Sequence, residues 1–170
     1  MPKRRSPDQK KTGKNPTDRG KQGVKRSILT DARGVPLAIV VAEANIHDSK
    51  LLAITLSSII VKRPSPKQVR QHLLADKAYA DQATRKAVAK RGYEAHIPQK
   101  ENARLRIPRK PGRRKSRRWV IERTFGNVNR ARAVLVRWEK EPENYEALLH
   151  IAAAIICFKW SKRRRGGLLG

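Results

Sequence analysis

Apolar side chains recur along the central part of the chain with two different spacings. Around residues 27–30 and 35–42 they form short runs of strand length, separated by Asp31-Ala-Arg-Gly. Gly34 supplies the permissive backbone that a tight turn needs. The pattern predicts a β-hairpin.

The next segment changes to helical spacing. Apolar residues recur with that period over residues 50–61, and Asp48 or Ser49 is placed to cap the start of the helix. Pro64 follows the helix and ends it. Residues 71–75 form another short apolar run, so this part predicts a helix followed by a strand.

A second helix and a further strand complete the alternating region. Asp81 is a suitable N-cap for a helix that runs to Lys90, and Gly92 closes that helix. Residues 93–98 have the pattern of a strand. The predicted order is therefore β-β-α-β-α-β, which indicates an α/β fold with a mixed sheet flanked by helices.

The segment from residue 117 to about residue 139 has a helical pattern with two faces. Its apolar stripe consists of Ile121, Phe125, Val128 and Leu135. A separate basic face carries Arg123, Arg130 and Arg137, spaced seven residues apart. Glu122 falls between the two faces, where it could either form an ion pair or serve as a ligand.

A last helix is predicted for residues 145–160. Its apolar stretch, 147–158, is shorter than the roughly 20 residues that cross a bilayer. No secretory signal follows the charged start of the chain, and the single cysteine, Cys157, cannot form a disulfide framework. We therefore expect a cytoplasmic protein that does not associate with membranes.

The charge balance identifies the leading class of partner. Lys and Arg number 41 against 14 Asp and Glu, a formal net charge of +27. So large an excess is self-repulsive unless a polyanion offsets it, which favours nucleic acid. Basic residues are concentrated in segment 1–24, expected to be disordered, in a loop at 99–118 and in a tail at 161–170, so the folded domain is expected to span 25–160.

Asp76 directly follows the apolar run that ends at Ala75. A strand would deliver this carboxylate to a sheet edge, where a cation can reach it; the alternative is a loop carboxylate that pairs with Lys77 or caps a turn. Glu122 is a second candidate ligand. Hard ions such as Mg²⁺ prefer carboxylate oxygens, and a pair of such ions supports phosphodiester chemistry. An obvious third carboxylate is lacking.

Three segments, in the same order, carry a resemblance to a known family. They are "NPTDRGKQGVKRSILTDARGVPLAIVVAEANIHDSKLL", "LLADKAYAD" and "RRWVIERTFGNVNRARAVLVRWEKEPENYEALLHIAAAII". Over about residues 15–160 they resemble the catalytic part of DDE-type bacterial insertion-sequence transposases. The resemblance implies a ribonuclease H-like fold that cuts and joins DNA with Mg²⁺ or Mn²⁺ held by Asp, Asp and Glu.

Carried over to this sequence, the resemblance implies that Asp76 is the second acidic metal ligand and Glu122 the third, and that both are catalytic. It also implies that Arg118 and Arg123 lie near DNA phosphates. The complete set of expected DNA-binding residues is Lys77, Arg113, Arg114, Lys115, Arg117, Arg118, Arg123, Arg130 and Arg137. Asp48 lies in "NIHDSK", which is usual for the family, but capping is its more ordinary task and we do not count it as catalytic.

In the family, the first Asp ends a strand upstream of the segment that corresponds to "NPTDRGK". Here the residues before it, "MPKRRSPDQKK", have no strand pattern, so we expect the fold to lack its first strand and the site to lack its first ligand. Asp8 follows no apolar run, Asp18 lies in a basic loop and Asp31 belongs to the predicted hairpin turn. Either the chain is a second reading frame joined to an upstream product by frameshifting, or it is a decayed remnant. In both cases we expect it to be a poor catalyst alone.

The expected function is that of the C-terminal part of a transposase. It would bind transposon ends and target DNA as a homodimer, with an upstream reading-frame product as a further partner, at the bacterial nucleoid. The alternative is a catalytically inactive basic DNA-binding remnant or a regulator of the parent element. A basic RNA-binding protein would explain the charge but neither Asp76 nor Glu122.

Histidine and tryptophan residues receive no role in the expected site. His47, His72, His96 and His150 are scattered without the spacing of metal ligands. Trp119, Trp138 and Trp160 are expected to pack with other apolar residues rather than to stack on bases.

Overall fold

Backbone hydrogen bonds divide the strands of the protein into two sheets. A computed structural model describes residues 12–16, 19–98 and 118–166, with side chains to residue 163. Its elements are β1 (Gly13–Lys14), β2 (Gln22–Thr30), β3 (Pro36–Glu43), α1 (Asp48–Ser57), β4 (Gln71–Leu74), a 3₁₀ turn (Lys77–Tyr79), α2 (Gln82–Lys90), β5 (Tyr93–His96), α3 (Arg118–Asn129), α4 (Arg132–Leu135) and α5 (Pro142–Gly166). The predicted mixed α/β class is confirmed.

The first sheet is antiparallel, with the strand order β1-β2-β3, and the second is the parallel pair β4-β5. The predicted hairpin is present, with Ile28 paired to Ile39 and an irregularity between Leu29 and Thr30. Strand β2 is longer than predicted because its polar residues from Gln22 onward pair with neighbouring strands. Both β1 and the start of β2 lie in segment 1–24, which we expected to be disordered; of that segment, residues 1–11 and 17–18 lie outside the described residues.

The turn between β2 and β3 has the predicted chemistry. Asp31 Oδ1 accepts hydrogen bonds from the backbone N–H groups of Arg33, at 2.8 Å, and Val35, at 2.9 Å. Gly34 has a φ of +87°, a conformation that side chains with a Cβ rarely adopt. The turn is therefore fixed by its own sequence.

Two apolar clusters hold the sheets to the helices. The larger joins β3 to α3, α4 and α5 and consists of Ile39, Val41, Val128, Val134, Tyr145, Leu149, Ala152, Ala153 and Ile156. The smaller joins α1, β4 and α2 and consists of Leu52, Leu56, Leu73 and Val88. Strand β4 is thus packed against helices through a core of its own.

Helix α1 differs from the prediction at both ends. Its N-cap is His47, whose Nδ1 accepts from the Ser49 N–H at 3.3 Å, so the predicted cap at Asp48 or Ser49 is wrong. The Asp48 carboxylate instead lies 3.0 Å from Lys25 Nζ. The helix ends at Ser57, short of residue 61, whereas α2 has the predicted Asp81 cap and the predicted Gly92 at its end.

The long helix predicted for 117–139 is two helices with a different buried stripe. The buried residues of α3 are Val120, Thr124 and Val128, so the predicted stripe was placed one residue off along most of its length. Asn129 ends α3, and its Oδ1 accepts from Arg26 Nη1 at 2.9 Å. The extended backbone at Ala131 then changes the phase of α4, which leaves Leu135 54% exposed.

Helix α3 docks on the β2–β3 turn through a buried side chain. Thr124 Oγ1 donates to the Gly34 carbonyl oxygen at 2.8 Å, and Arg123 Nη2 donates to the Arg33 carbonyl oxygen at 2.5 Å. A Cβ at position 34 would lie 2.9 Å from Thr124 Oγ1, so the approach requires glycine. This contact sets the position and rotation of the helix that carries Glu122.

The longest helix, α5, is anchored by Tyr145, whose hydroxyl donates to the Val134 carbonyl oxygen at 3.0 Å. It begins at Pro142, three residues before the predicted start. Proline is suited to the first position of a helix because the backbone N–H there has no partner within the helix. In the part of the chain that the structure describes, no helix has the length and apolar character needed to span a membrane.

Replacing Asp81 with Ala tests the cap of α2. Asp81 Oδ1 accepts from the Thr84 N–H at 2.7 Å and Oδ2 from the Thr84 hydroxyl at 2.6 Å. We expect Asp81→Ala to lower the free energy of unfolding by about 1 kcal/mol, measured by urea denaturation at pH 7.

The same pair of bonds makes the effect depend on pH. Hydrogen bonds from the Thr84 side chain and backbone lower the pKa of Asp81. The contribution of Asp81 to the free energy of unfolding is therefore complete above the ordinary carboxyl pKa of about 4, and it is lost as pH falls through the lowered pKa. The deficit of Asp81→Ala should shrink in acid. Asp81→Asn, which caps without titrating, is the control; a deficit independent of pH would contradict the assignment.

Replacing Thr124 with Val tests the docking of α3. Valine keeps the shape but leaves the buried Gly34 carbonyl without its donor, so we expect a loss of about 1–3 kcal/mol in the free energy of unfolding. Thr124→Ser retains the hydroxyl and should retain more of the stability. Wild-type stability of Thr124→Val would show that the bond does not hold the helix.

Candidate functional site

Asp76 lies where the sequence predicts, just beyond the end of β4. It is the N-cap of the 3₁₀ turn, and its Oδ1 accepts from the Lys77 N–H at 2.5 Å. The side chain is 48% exposed. One carboxylate oxygen thus caps the turn, which agrees with the simpler of the two interpretations, while the other oxygen faces a different partner.

That partner is Arg118, which also lies close to Glu122, the other predicted metal ligand. Arg118 Nη2 lies 3.5 Å from Asp76 Oδ2, and Arg118 Nε lies 4.0 Å from Glu122 Oε1, one helical turn along α3. Two carboxylates separated by 46 positions in the sequence (76 and 122) therefore approach one guanidinium group. All three side chains are about half or more exposed, so solvent and ions reach them.

The negative charges of Asp76 and Asp48 both act on Tyr79, which lies on the 3₁₀ turn after Asp76. Burial, followed by the negative charges of Asp48 and Asp76, raises the pKa of Tyr79 to about 12. Tyr79 therefore stays protonated at neutral pH, and its ring packs against the smaller core. Sequence reasoning missed this residue because "KAYAD" gives no sign that α1 brings Asp48 towards the 3₁₀ turn.

The donor set fits a hard divalent ion in part. Asp76 and Glu122 offer carboxylate oxygens on separate elements, as Mg²⁺ and Mn²⁺ prefer. Within residues 12–16, 19–98 and 118–166, they form no group of three metal-ligating side chains with another acid, histidine or cysteine. The two residues could hold an ion jointly only with a further ligand or with water.

The expected DNA-binding residues are distributed unevenly. Arg113, Arg114, Lys115 and Arg117 lie outside the described residues. Lys77 and Arg130 are exposed, whereas Arg118 and Arg123 are exposed but engaged with the protein, Arg123 also lying over the Trp119 ring at 4.8 Å. Of the expected DNA-binding residues near the two carboxylates, Arg118 and Arg123 thus already make contacts within the protein.

Arg137 does not continue the basic row of α3. Its Nε and Nη2 donate to the carbonyl oxygens of Glu139 and Lys140, both at 2.9 Å, and its guanidinium lies 5.7 Å from the centroid of the Tyr145 ring. The helix break after Asn129 separates Arg137 from Arg123. The single continuous row predicted from seven-residue spacing is therefore not formed.

Aromatic and histidine side chains also differ from expectation. Trp160 packs against the larger core, but Trp119 is 55% and Trp138 79% exposed. His72 and His96 are not scattered, because pairing of β4 with β5 brings them together beside Glu94. The register of the two parallel strands, in which residues 22 positions apart are paired, left no signal in the sequence.

Comparison with known proteins identifies the family. A family model described as "Transposase DDE domain" matches residues 1–157. The candidate transposase of insertion sequence element IS402 from Burkholderia cepacia is 35% identical over 158 residues, which cover 91% of this chain and 71% of that protein. No solved structure matches. The chain belongs to the family of DDE-type insertion-sequence transposases.

Proposed function

We propose that this chain is the C-terminal catalytic part of a transposase that binds transposon DNA and contributes Asp76 and Glu122 to metal-dependent DNA cleavage and strand transfer. The observation that carries the proposal is the approach of both carboxylates to Arg118, at 3.5 and 4.0 Å. Glu122 is one helical turn from Arg118, so the contact between distant parts of the chain is that of Arg118, at the start of α3, with Asp76, just beyond β4. This contact supports a divalent ion shared by Asp76 and Glu122.

The chemistry follows from the ligand type. Mg²⁺ or Mn²⁺, when bound, would activate an attacking oxygen and stabilise a leaving one in phosphodiester chemistry. Asp76 and Glu122 would supply oxygen ligands, and exposure on one side leaves room for phosphate and water. Arg118 is the cation that such an ion would replace between the two carboxylates, which would free its guanidinium for a phosphate.

A ribonuclease H-like fold would unite the two sheets. Among the described residues, β4 pairs only with β5, and β1 covers only the Gln22–Gly23 end of β2. In the proposed fold, a further strand that ends in the first Asp would pair beside β4 and supply the third carboxylate. The upstream reading-frame product is our candidate source of that strand, and the active assembly on DNA would be a homodimer.

DNA is the proposed partner because of charge and its placement. The net charge of +27 favours a polyanionic partner, and Lys77 is the immediate neighbour of Asp76. The segment 99–117, which leads into Arg118, is dense in Lys and Arg. Both transposon ends and target DNA could therefore be held beside the carboxylate pair at the nucleoid.

A second function is a DNA-binding protein without catalysis, either a remnant or a regulator of the parent element. It is favoured by the lack of a third metal-ligating side chain beside Asp76 and Glu122 within the described residues. The two functions share phosphate binding and differ in whether metal is required.

Cleavage of a transposon-end duplex by the chain reconstituted with the upstream segment tests the catalytic proposal. We expect cleavage to require Mg²⁺ or Mn²⁺, and Asp76→Ala and Glu122→Ala each to lower its rate by at least roughly a hundredfold, because each removes a ligand to the ion. Glu143→Ala, an exposed acid in the first turn of α5, should leave the rate unchanged. If Asp76→Ala and Glu122→Ala cleaved DNA as fast as Glu143→Ala and the wild type, the metal assignment would be excluded. No cleavage by the wild type would favour the non-catalytic function.

The salt dependence of DNA binding tests the basic surface. We expect Lys77→Ala and Arg130→Ala each to reduce the slope of log K against log salt by about 1, since each phosphate contact releases counterions. Lys86→Ala, exposed on α2 and outside the predicted set, is the matched control. Slopes that all three variants change equally would show that binding is diffuse and not directed by these residues.

A further inference from the structure

We propose that His72, Glu94 and His96 form a second metal site, selective for Zn²⁺ and similar transition ions, on the parallel pair β4-β5. The site would be separate from Asp76 and Glu122 and does not depend on the function proposed for them. Its protein ligands would be two imidazole nitrogens and one carboxylate oxygen. Zinc sites with two histidines and one glutamate have this donor set.

The register of the two strands creates the cluster. His72 pairs with Glu94, and Leu74 pairs with His96. Because side chains alternate along a strand, these four residues share one face, while Leu73 and its partner Ala95 point to the smaller core. The three polar groups therefore lie on the outer face of a strand pair whose inner face is packed.

The distances between the ligand atoms match a tetrahedral ion. His72 Nδ1 lies 2.9 Å from His96 Nε2 and 3.4 Å from Glu94 Oε2, and His96 Nε2 lies 3.9 Å from Glu94 Oε1. With metal–nitrogen distances of 2.0–2.1 Å, ligand atoms around a tetrahedral zinc ion are about 3.3 Å apart. The observed distances fall on both sides of that value, and the two histidines face different oxygens of Glu94, so a rotation of the Glu94 carboxylate would bring one oxygen to the ion.

The ligand types decide which ion is bound. Imidazole suits zinc, copper and nickel, whereas Mg²⁺ prefers an all-oxygen shell. In the absence of a cation, the two histidines share a hydrogen bond and Glu94 lies beside both, which is the simpler role for the cluster. The side chains of His72, His96 and Glu94 are 47%, 38% and 50% exposed, so an ion has access and water can occupy the fourth position.

A bound ion would cross-link the two strands close to the candidate catalytic carboxylate. The Ala75 N–H donates to the His96 carbonyl oxygen at 3.4 Å, and Asp76 is the next residue. Holding His96 against His72 would therefore restrain the end of β4. We infer that the site is structural and stabilises the short parallel pair that positions Asp76.

The test is a Zn²⁺ titration of the tag-free full chain, followed by NMR signals of the histidine side chains and by calorimetry. Saturating Zn²⁺ should shift the signals of His72 and His96, with one strong site per chain, and should raise the melting temperature. His72→Ala, His96→Ala and Glu94→Ala should each weaken this site by at least roughly tenfold, since even outer residues of metal sites have effects of that size.

Three controls separate this site from other sources of zinc binding. His150→Ala removes an exposed histidine of α5, and Cys157→Ser removes the thiol; neither should change the affinity. The double variant Asp76→Ala and Glu122→Ala should keep the strong Zn²⁺ site, whatever happens to DNA cleavage. Mg²⁺ in excess should not displace Zn²⁺ from it.

Several outcomes would overturn the proposal. The first is that Zn²⁺ leaves the signals of His72 and His96 unmoved. The second is that variants of the three residues, shown by circular dichroism to be folded, bind Zn²⁺ as wild type does. The third is loss of the strong site in the Asp76 and Glu122 double variant, which would assign the zinc to the carboxylate pair instead.

Discussion

The candidate site depends on the docking of α3 against the β2–β3 turn. The buried Thr124 hydroxyl satisfies the Gly34 carbonyl, and it can do so only in one rotation of the helix. Glu122 lies two residues from Thr124, about 200° around the helix, so fixing Thr124 inward turns Glu122 outward. Arg118 is one turn before Glu122 on the same side and reaches Asp76. This hydrogen bond, together with the buried Val120 and Val128 on the same face, therefore turns Glu122 outward.

The ion pairs at the site stabilise the fold little. Arg118 bridges Asp76 and Glu122 at 3.5 and 4.0 Å with all three side chains well exposed, and Lys25 lies beside a one-third exposed Asp48. Such pairs contribute between nothing and about 1 kcal/mol, because water screens them. A weakly held guanidinium can be exchanged for another cation without disturbing the core. The rigid part of the site is thus the backbone and the apolar packing behind the carboxylates, while the charged atoms remain replaceable.

The sequence predicted features that are local and missed those that arise from pairing at a distance. The hairpin turn, the Asp81 cap and the Gly92 terminus depend on neighbouring residues and are present. The buried stripe of α3 differs from the predicted one because the polar Thr124 belongs to it, which is possible since its hydroxyl finds a buried acceptor. At the break after Asn129, the Asn129 side chain accepts a hydrogen bond from Arg26, more than 100 positions earlier, and no local pattern predicts this contact.

Candidate site residues show the same division. Asp76 could be recognised because a carboxylate directly after an apolar run is a local signal. The convergence of Asp76 with Glu122 was an expectation from family resemblance, and the contacts with Arg118 are compatible with it. The grouping of His72, Glu94 and His96 was not expected, since parallel strands can pair in several registers and only packing of Leu73 and Ala95 inward selects this one.

Two donor sets of different chemistry each take one residue from β4 and its continuation, His72 and Asp76, and their separation has a physical consequence. First-row transition ions bind most protein ligands more tightly than Mn²⁺ does, so Zn²⁺ could compete for a carboxylate pair intended for Mg²⁺ or Mn²⁺. Two imidazoles and a carboxylate would bind such an ion more strongly than two exposed carboxylates. If both proposals hold, the histidine cluster retains Zn²⁺ as a strand cross-link, and Asp76 and Glu122 remain available to the ions that phosphodiester chemistry uses.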